Sequence, residues 1–414
     1  MRPLADAQRD VLSTVRLTEI VEVALWDAAG LVLAADVGAP HDVPPFTNSA
    51  MDGYAVIGAD VEEVPVTLEV LEDVAAGHVA GTAVRPGTAI KIMTGAPLPA
   101  GADTVVKVED TEPGEGTVRI LNSAPAGTAV RPAGGDLGAG TLVFEAGTRL
   151  TARHVAVLAS IGVAAPAVRR RPTVAIMSTG DEVQPPETET LQPGQIRDTN
   201  RPLLARMLTE LGVDVIDLGI VRDDETLLRS TVERAAAAAD AIFTSGGVSM
   251  GEYDLVKAVL RTLGDIDFWQ VAMQPAKPFA FGTIDGTPLF GLPGNPVSVM
   301  VAFEQFARPA LLHMMGSERL FRPRVRAVMD EAIMTDPAKT VFSRVEVAID
   351  DHGVFHARPS GGQSSNVLSA LAAADAFGVV PVGVGEVAIG DPISLEMFTW
   401  PERRTAADVL GRPA

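Results

Sequence analysis

The sequence predicts a multidomain chain of α/β plus β type. A central α/β domain with a mostly parallel sheet is joined to a small inserted β domain, a discontinuous linking domain and a β domain at the C-terminal end. Three observations predict this. The 414 residues exceed what one hydrophobic core ordinarily organises, so about two to four domains are expected. Between Arg171 and Gly316 short apolar runs alternate with segments of helical spacing, as in a sheet covered on both faces. Residues 51–136 and the stretch after Arg322 instead carry strand signals separated by Gly, Pro and Asp turns.

Residues 4–36 have helical spacing, interrupted by an extended link at 19–23 and resumed over 25–34. Three prolines between Gly38 and Ser49 impose extended backbone and place a domain boundary near Pro45. Strands are expected at 54–57, 66–70, 89–93, 104–109 and 117–121. The turns of this small domain set polar side chains beside glycine: Asp52 before Gly53, Thr94 before Gly95, and Arg131 and Asp136 around Gly134-Gly135. A single turn of this kind needs no function, but three in one small domain suggest a shared rim around a ligand. Residues 137–168 read as glycine-rich extended chain with a helix over 151–161, a connecting domain completed by residues 27–45.

In the central domain strands are expected at 173–178, 213–218, 241–245, 268–273, 279–283 and 288–291, with helices at 202–211, 225–238, 252–263 and 296–315. The polar loops Ser178–Glu182, Arg222–Asp224, Ser245–Ser249 and Leu292–Pro296 all follow strands. The carboxyl edge of an open α/β sheet is where ligands bind. The helix after Pro296 carries an apolar stripe that suits either core or a subunit interface. Beyond Arg322 strands are expected at 325–329, 341–349, 354–358 and 377–380, and residues 405–414 read as a tail.

The stretch Ala241 to Lys257, AIFTSGGVSMGEYDLVK, has the most chemical content. A buried strand feeds a loop of Ser245, Gly246, Gly247, Val248, Ser249, Met250 and Gly251, and the loop feeds a helix. Backbone N–H groups, hydroxyls and a helix N-terminus together receive phosphate or a similar oxyanion. Asp254 falls in the first helical turn, positioned to cap backbone donors, hold a metal or steer a nucleophile. A tight turn with a capping acid fits the same residues.

Composition narrows the chemistry. With 53 acidic against 33 basic residues the formal charge is −20, and the longest basic run is Arg169-Arg170-Arg171. That argues against nucleic acid or an anionic membrane as partner. The absence of cysteine excludes disulfides, thiolate catalysis and cysteine-ligated metals, and is compatible with a cytoplasmic enzyme. No apolar run approaches the roughly 18 residues of a membrane span, and the N-terminus carries acids where a signal peptide needs an apolar core.

Asn48-Ser-Ala-Met-Asp-Gly-Tyr-Ala-Val56, Met93-Thr-Gly-Ala-Pro-Leu-Pro99 with Gly101-Ala-Asp103, Arg131-Pro-Ala-Gly-Gly-Asp136, Ser178-Thr-Gly-Asp-Glu182, Ser245-Gly-Gly-Val-Ser-Met-Gly251 and Gly291-Leu-Pro-Gly-Asn-Pro-Val-Ser298 together resemble the MoeA family, molybdopterin molybdenumtransferases related to the gephyrin E domain. The resemblance spans nearly the whole chain in the same order. It implies an α/β domain like the molybdopterin adenylyltransferases (1–26 with 169–320), a linking domain (27–45 with 137–168), an inserted β domain (46–136), a C-terminal β barrel (321–404) and a tail (405–414). It also implies a homodimer with clefts built across the interface, and transient contact with other cofactor-biosynthesis proteins. The implied reaction takes adenylylated molybdopterin and molybdate, releases AMP and leaves molybdenum on the pterin dithiolene, assisted by Mg2+. The sulfur ligands belong to the pterin, so a chain without cysteine suffices. Matching positions imply catalytic roles for Asp52, Thr94, Glu182, Asp223 and Asp254, with Glu182 and Asp254 as metal ligands. They imply binding roles for Arg131, Asp136, Ser245, Gly246, Gly247, Ser249, Gly251, Lys277, Pro293, Gly294, Asn295 and Pro296.

One departure stands out. Gln270 and Gln274 occupy positions where many relatives have lysine, so anion binding is expected to lean on Lys277, Arg197 and backbone amides. Two other function classes share the fold. A molybdopterin adenylyltransferase would lack the Met51–Tyr54 and Met93–Pro97 turns, and a scaffold of gephyrin type would use the same fold as a binding platform.

Overall fold

The computed structural model describes residues 1–247, 255–401 and 409–410. They form two compact units, Met1–Val21 with Gly30–Ala34 and Val168–Ala414, and Glu22–Ala29 with Ala35–Ala167.

The first unit is built on a six-stranded sheet ordered Asp214–Val221, Thr173–Thr179, Ala241–Ser245, Thr287–Leu292, Pro278–Ile284, Asp265–Gln270. The first four strands run parallel and the last two join antiparallel. Alternation along the strands feeds two cores. Val174, Ile176 and Phe243 pack on one side with Leu204 and Leu208 of helix Asn200–Leu211. Ala175, Met177 and Ile242 pack on the other with Leu228 and Val232 of Glu225–Ala238 and Val259 of Leu255–Leu263.

The helix expected over 296–315 is interrupted. Pro296–Ala302 passes into a π-turn at Phe303–Ala307 and then Arg308–Met314. Pro309 is the physical reason: it has no N–H to give to the carbonyl four residues back, and its ring crowds that carbonyl. That carbonyl, on Gln305, accepts from the Gln8 side chain at 3.2 Å. The apolar stripe of this segment, Val297, Val299, Val301, Phe303, Phe306, Leu311 and Leu312, is buried inside the chain, which makes it core.

Five strands close into a barrel at the C-terminal end of this unit. Arg324–Met329 pairs with Phe355–Pro359, then Thr340–Ile349, Ala376–Val380 and Pro392–Met397 follow, and the last returns to the first. Met329, Val345, Val380 and Leu395 fill its interior. The short strand Met273–Gln274 pairs onto this barrel, Met273 opposite Thr340. The expected strand over 268–273 is therefore two pieces, and the second belongs to the barrel.

The second unit contains a six-stranded sheet ordered Thr104–Lys107, Gly53–Val56, Thr88–Ile92, Val66–Val74, Thr117–Ile120, Thr111–Pro113. Val37–Gly38 pairs with Leu142–Phe144, and helix Ala152–Ser160 is closed by a capping box between Thr151 and His154. The helix expected over 25–34 does not form; a 3-10 turn at Leu25–Asp27 stands there. Leu31, Val32 and Leu33 are all buried in succession, which no single helix face permits, and Leu33 bridges to Val168 as extended chain.

Candidate active site

The four parallel strands discharge their polar loops at one edge. Ser178–Glu182 follows Thr173–Thr179, Arg222–Asp224 follows Asp214–Val221, the glycine loop follows Ala241–Ser245, and Pro293–Pro296 follows Thr287–Leu292. The turn carrying Lys277 joins them, because Gln270 and Pro278 face each other at the same end of the antiparallel pair.

A cavity of 260 Å³ opens between the first and third of these loops, lined by Ser178, Glu182, Asn200, Ser245, Gly246 and Asn295 among others. Asn200 is 8 % exposed and ties two loops together: its Nδ2 donates to Ser245 Oγ at 2.7 Å and to the Gly294 carbonyl at 2.7 Å. The Gly294 carbonyl fixes which end of the amide is nitrogen. Oδ1 is buried with no partner. Ser178 is arranged oppositely, donating to Asp198 Oδ1 at 2.9 Å, and Asp198 is further occupied by the Arg201 guanidinium at 2.8 Å. Asp198 is thereby a structural acid.

Gly246 and Gly247 adopt φ of +96° and +67°. A Cβ on Gly246 would meet the Thr179 carbonyl at 2.9 Å, and one on Gly247 would collide with Val256, so only glycine fits this close approach. The Gly246 N–H donates to the Leu292 carbonyl at 3.2 Å. The expectation that it is free for an anion is corrected: the approach of two parallel strands uses it. Ser249, Gly251 and Asp254 lie outside the described residues.

Glu182 is exposed; its carbonyl accepts from the Ile196 N–H at 2.8 Å, while among the described residues its side chain makes no hydrogen bond or ion pair, and its carboxylate oxygens lie 2.5 and 2.7 Å from where a Cβ of Gly180 would sit. Gly180 has a φ of +127°, and this backbone conformation calls for glycine, whereas the exposed Glu182 carboxylate would swing aside from a Cβ. No group of three or more His or acidic side chains gathers for a metal among the described residues. Magnesium nonetheless suits a site of one or two carboxylates completed by substrate phosphates and water, and the unengaged Glu182 oxygens fit that pattern. Asp223 donates its backbone N–H to Asp181 Oδ1 at 3.2 Å. Arg197, expected to bind an anion, instead donates from Nε and Nη2 to the carbonyls of Pro186 at 3.2 Å and Thr188 at 2.7 Å, because the loop 186–189 folds back over it.

A larger cavity of 560 Å³ adjoins the first and shares Gly294 and Asn295 with it. Lys277, Pro293 and Ser298 line it together with Lys339, Gln363, Ser364 and Ser365 from the barrel. The Lys277 ammonium has no hydrogen bond or ion pair among the described residues, whereas Lys339 Nζ lies 2.7 Å from Asp336 Oδ2. The Lys339 hydrogen bond, then the Ala338 backbone N–H, holds the Asp336 carboxyl below its usual range. Asn295 Nδ2 donates to Ser365 Oγ at 2.9 Å, closing the wall between sheet edge and barrel. Sequence reasoning missed Lys339, Gln363, Ser364 and Ser365. They come from a separate domain, and the Met273–Gln274 pairing that brings Lys339 alongside has no sequence signature.

In the second unit Asp52 Oδ1 accepts from both the backbone N–H of Thr94, at 2.7 Å, and its hydroxyl, at 2.6 Å. Those two bonds, the hydroxyl first, hold the Asp52 carboxyl below its usual range. A Cβ at Gly53 would strike the Val106 carbonyl, which explains the glycine after Asp52. Strand Asn48–Ser49 brings Arg131 to the same neighbourhood: Arg131 pairs with Asn48, while the Ser49 carbonyl accepts from Gly95 N–H at 2.8 Å. Asp136 is exposed, with its backbone N–H on the Val43 carbonyl at 2.9 Å.

Known protein families match the chain in three stretches. Residues 2–162 match the MoeA N-terminal region (domain I and II), residues 175–313 a probable molybdopterin binding domain, and residues 326–398 the MoeA C-terminal region (domain IV). The chain is 39% identical to molybdopterin molybdenumtransferase 2 of Mycobacterium tuberculosis (strain ATCC 25618 / H37Rv), covering 95% of this chain and 99% of that one. It is 36% identical to the molybdopterin molybdenumtransferase of Haemophilus influenzae, covering 90% and 93%. Among solved structures, a molybdopterin biosynthesis MoeA protein from Pyrococcus horikosii superposes with a TM-score of 0.80 at 34% identity, covering 96% of this chain and 99% of that one.

Proposed function

Since the chain belongs to the MoeA family, we propose that it is a molybdopterin molybdenumtransferase, taking adenylylated molybdopterin and molybdate to AMP and molybdenum-bearing molybdopterin. The observation that carries this reading is the meeting of two unlike cavities at Gly294–Asn295. One side offers hydroxyls and a bare carboxylate, and the other offers two lysines with hydroxyls.

The phosphoanhydride sits on the Ser245 side. Water adds to phosphorus, the P–O–P bridge breaks and AMP leaves with the bridging or the incoming oxygen. Glu182, with Asp254, would hold Mg2+ there, and the ion would supply charge neutralisation on the phosphates and an acidified water. Molybdate, a tetrahedral dianion, occupies the lysine side. Lys277 offsets part of its charge, Lys339, paired with Asp336, adds an N–H donor, and Ser298, Ser365 and Asn295 contribute hydrogen-bonding groups. As the dithiolene sulfurs bind molybdenum, one oxo ligand leaves as water with the two thiol protons.

Asp52, Thr94, Arg131 and Asp136 are assigned to the same substrate on the strength of the family motifs. The same resemblance supports a cytoplasmic homodimer and the domain limits given above. The apolar stripe after Pro296 lends the dimer no support, since it is core. No helix among the described residues is long and apolar enough to cross a membrane. The test is AMP release from purified adenylylated molybdopterin: release that requires molybdate is expected, and none on addition of molybdate and magnesium would contradict the assignment.

A further inference from the structure

Phe46 and Met51, in the second unit, are 43 % and 49 % exposed, yet the backbone of each is fastened by a buried polar side chain. Asn48 Nδ2 donates to the Phe46 carbonyl at 3.2 Å. Ser49 Oγ donates to the Met51 carbonyl at 2.5 Å and accepts from its N–H at 3.3 Å. The Asn48 amide does this at a cost, because its Oδ1 is buried with no partner. Asn48 and Ser49 are held in turn on both sides: Arg131 and Val130 pair with them, and the Ser49 N–H donates to the Ala96 carbonyl at 3.0 Å. A single apolar side chain on a surface is ordinary. Two large ones, pinned at the two ends of one short strand beside charged groups, form a prepared surface.

Phe46 stands at the Arg131 end of this ladder, where the Ala133 N–H donates to Thr47 Oγ1 at 3.2 Å, and Met51 precedes Asp52 at the other. The Arg131 side chain is exposed and has no hydrogen bond or ion pair among the described residues. Asp52 Oδ1 takes both Thr94 donors, which leaves Oδ2 to accept from a ligand. A flat ring bearing an amino group and a phosphate answers all of these: its face suits Phe46 and the Met51 thioether, its amino edge suits Oδ2, and its phosphate suits the guanidinium. The substrate of the proposed reaction holds two such rings. The adenine edge sets a nitrogen lone pair beside its amino group, and that lone pair repels a carboxylate. The pterin edge sets a ring N–H beside its amino group, two donors in a row. We infer that this rim takes the pterin end of the substrate, with Phe46 and Met51 packed on the ring, Asp52 accepting from its amino edge and Arg131 facing its phosphate. This rests on the proposed reaction for the identity of the ligand, and it adds Phe46 and Met51 as residues that determine specificity.

The test uses the full chain, titrated with hydroxymethylpterin monophosphate by fluorescence quenching and with AMP by calorimetry. Phe46→Ala is expected to weaken pterin binding about tenfold, the scale of losing one ring from a stacked pair, and Met51→Ala about threefold. Phe46→Tyr, which keeps the ring, is expected to bind within about threefold of the unaltered chain. AMP affinity is expected to be the same in all of them. Melting temperatures should be nearly unchanged, because both side chains are exposed. Pterin affinity unaltered in both Ala variants, a loss of AMP binding in place of pterin binding, or a Tyr variant as weak as Phe46→Ala would each overturn the inference. So would a large fall in the melting temperature of Phe46→Ala, which would make Phe46 a packing residue, or an unaltered chain that binds no pterin. Pterin binding that depends on Phe46 in a chain that releases no AMP would uphold this site and remove the transferase assignment, so the two fail separately.

Discussion

Ser178 and Ser245 stand opposite each other in register on adjacent parallel strands, and their hydroxyls have opposite hydrogen-bond polarity. Ser178 donates its hydroxyl hydrogen to Asp198, which leaves lone pairs facing outward, whereas Asn200 donates to Ser245 Oγ, which leaves the Ser245 hydroxyl hydrogen available to a ligand. A phosphoryl oxygen accepts and does not donate, so the arrangement directs it to Ser245.

Ser245→Ala is therefore expected to raise KM for adenylylated molybdopterin about tenfold, the scale of one hydrogen bond to a charged group. Ser178→Ala should change KM much less. Asn200→Ala combined with Ser245→Ala should be no worse for KM than Ser245→Ala alone, because Asn200 acts on this ligand contact only by orienting the Ser245 hydroxyl. Steady-state rates of AMP release decide this, and a larger KM effect at Ser178 would contradict it.

Thr94 gives the second prediction. Its two bonds hold the Asp52 carboxyl low, so the folded pKa lies under the unfolded one. Their contribution to stability is present above the ordinary aspartate value, about 3.9, and is lost as pH falls through the folded value. Thr94→Val removes the hydroxyl bond and should move the Asp52 titration upward, towards the ordinary range, as followed by carboxyl-carbon NMR. An unmoved titration would mean that the backbone N–H alone sets it.

Gly180 gives the third. Any side chain there meets the Glu182 carboxylate and a φ of +127°, so Gly180→Ala should cost about 1–3 kcal/mol in stability. It should also displace Glu182. Gly180→Ala and Glu182→Gln should share one kinetic defect, a higher magnesium concentration for half-maximal AMP release. A normal magnesium dependence in Glu182→Gln would remove the metal role from this residue.

His356 in the barrel carries a pH effect remote from the cavities. Its Nδ1 lies 2.8 Å from Asp330 Oδ1, and that bond raises its pKa. The resulting stabilisation is present below the unfolded histidine value, about 6.5, and is lost as pH rises through the folded value. Asp330→Asn should lower the His356 midpoint in an NMR titration; an unchanged midpoint would mean that Asp350 controls it.

The central sheet was legible because strands such as Thr173–Thr179 and Ala241–Ser245 have unbroken apolar centres, Val174 to Met177 and Ala241 to Phe243, and end on polar, glycine-bearing loops. Direction followed from the alternation, and with it the edge where the loops gather. Periodicity could not reveal that Leu31 to Leu33 are extended, since buried extended chain and buried helix are equally apolar there. Pro309 was visible, but its consequence, a π-turn whose free carbonyl is met by Gln8, depends on a residue some three hundred positions away. Lys339 and Ser365 escaped notice for the same reason: strand pairing and barrel closure place them beside Lys277 and Asn295, and neither leaves a local pattern. Arg197 shows the converse, a charge in the right loop whose donors are occupied by carbonyls.

The most direct test of the central claim is to count both products of a single turnover, AMP by chromatography and pterin-bound molybdenum by elemental analysis, with adenylylated molybdopterin and molybdate supplied together. One molybdenum gained for each AMP released is predicted, with both lost together on omitting molybdate. AMP released at full rate while the pterin gains no molybdenum would contradict the account, reducing the site to a phosphoanhydride hydrolase.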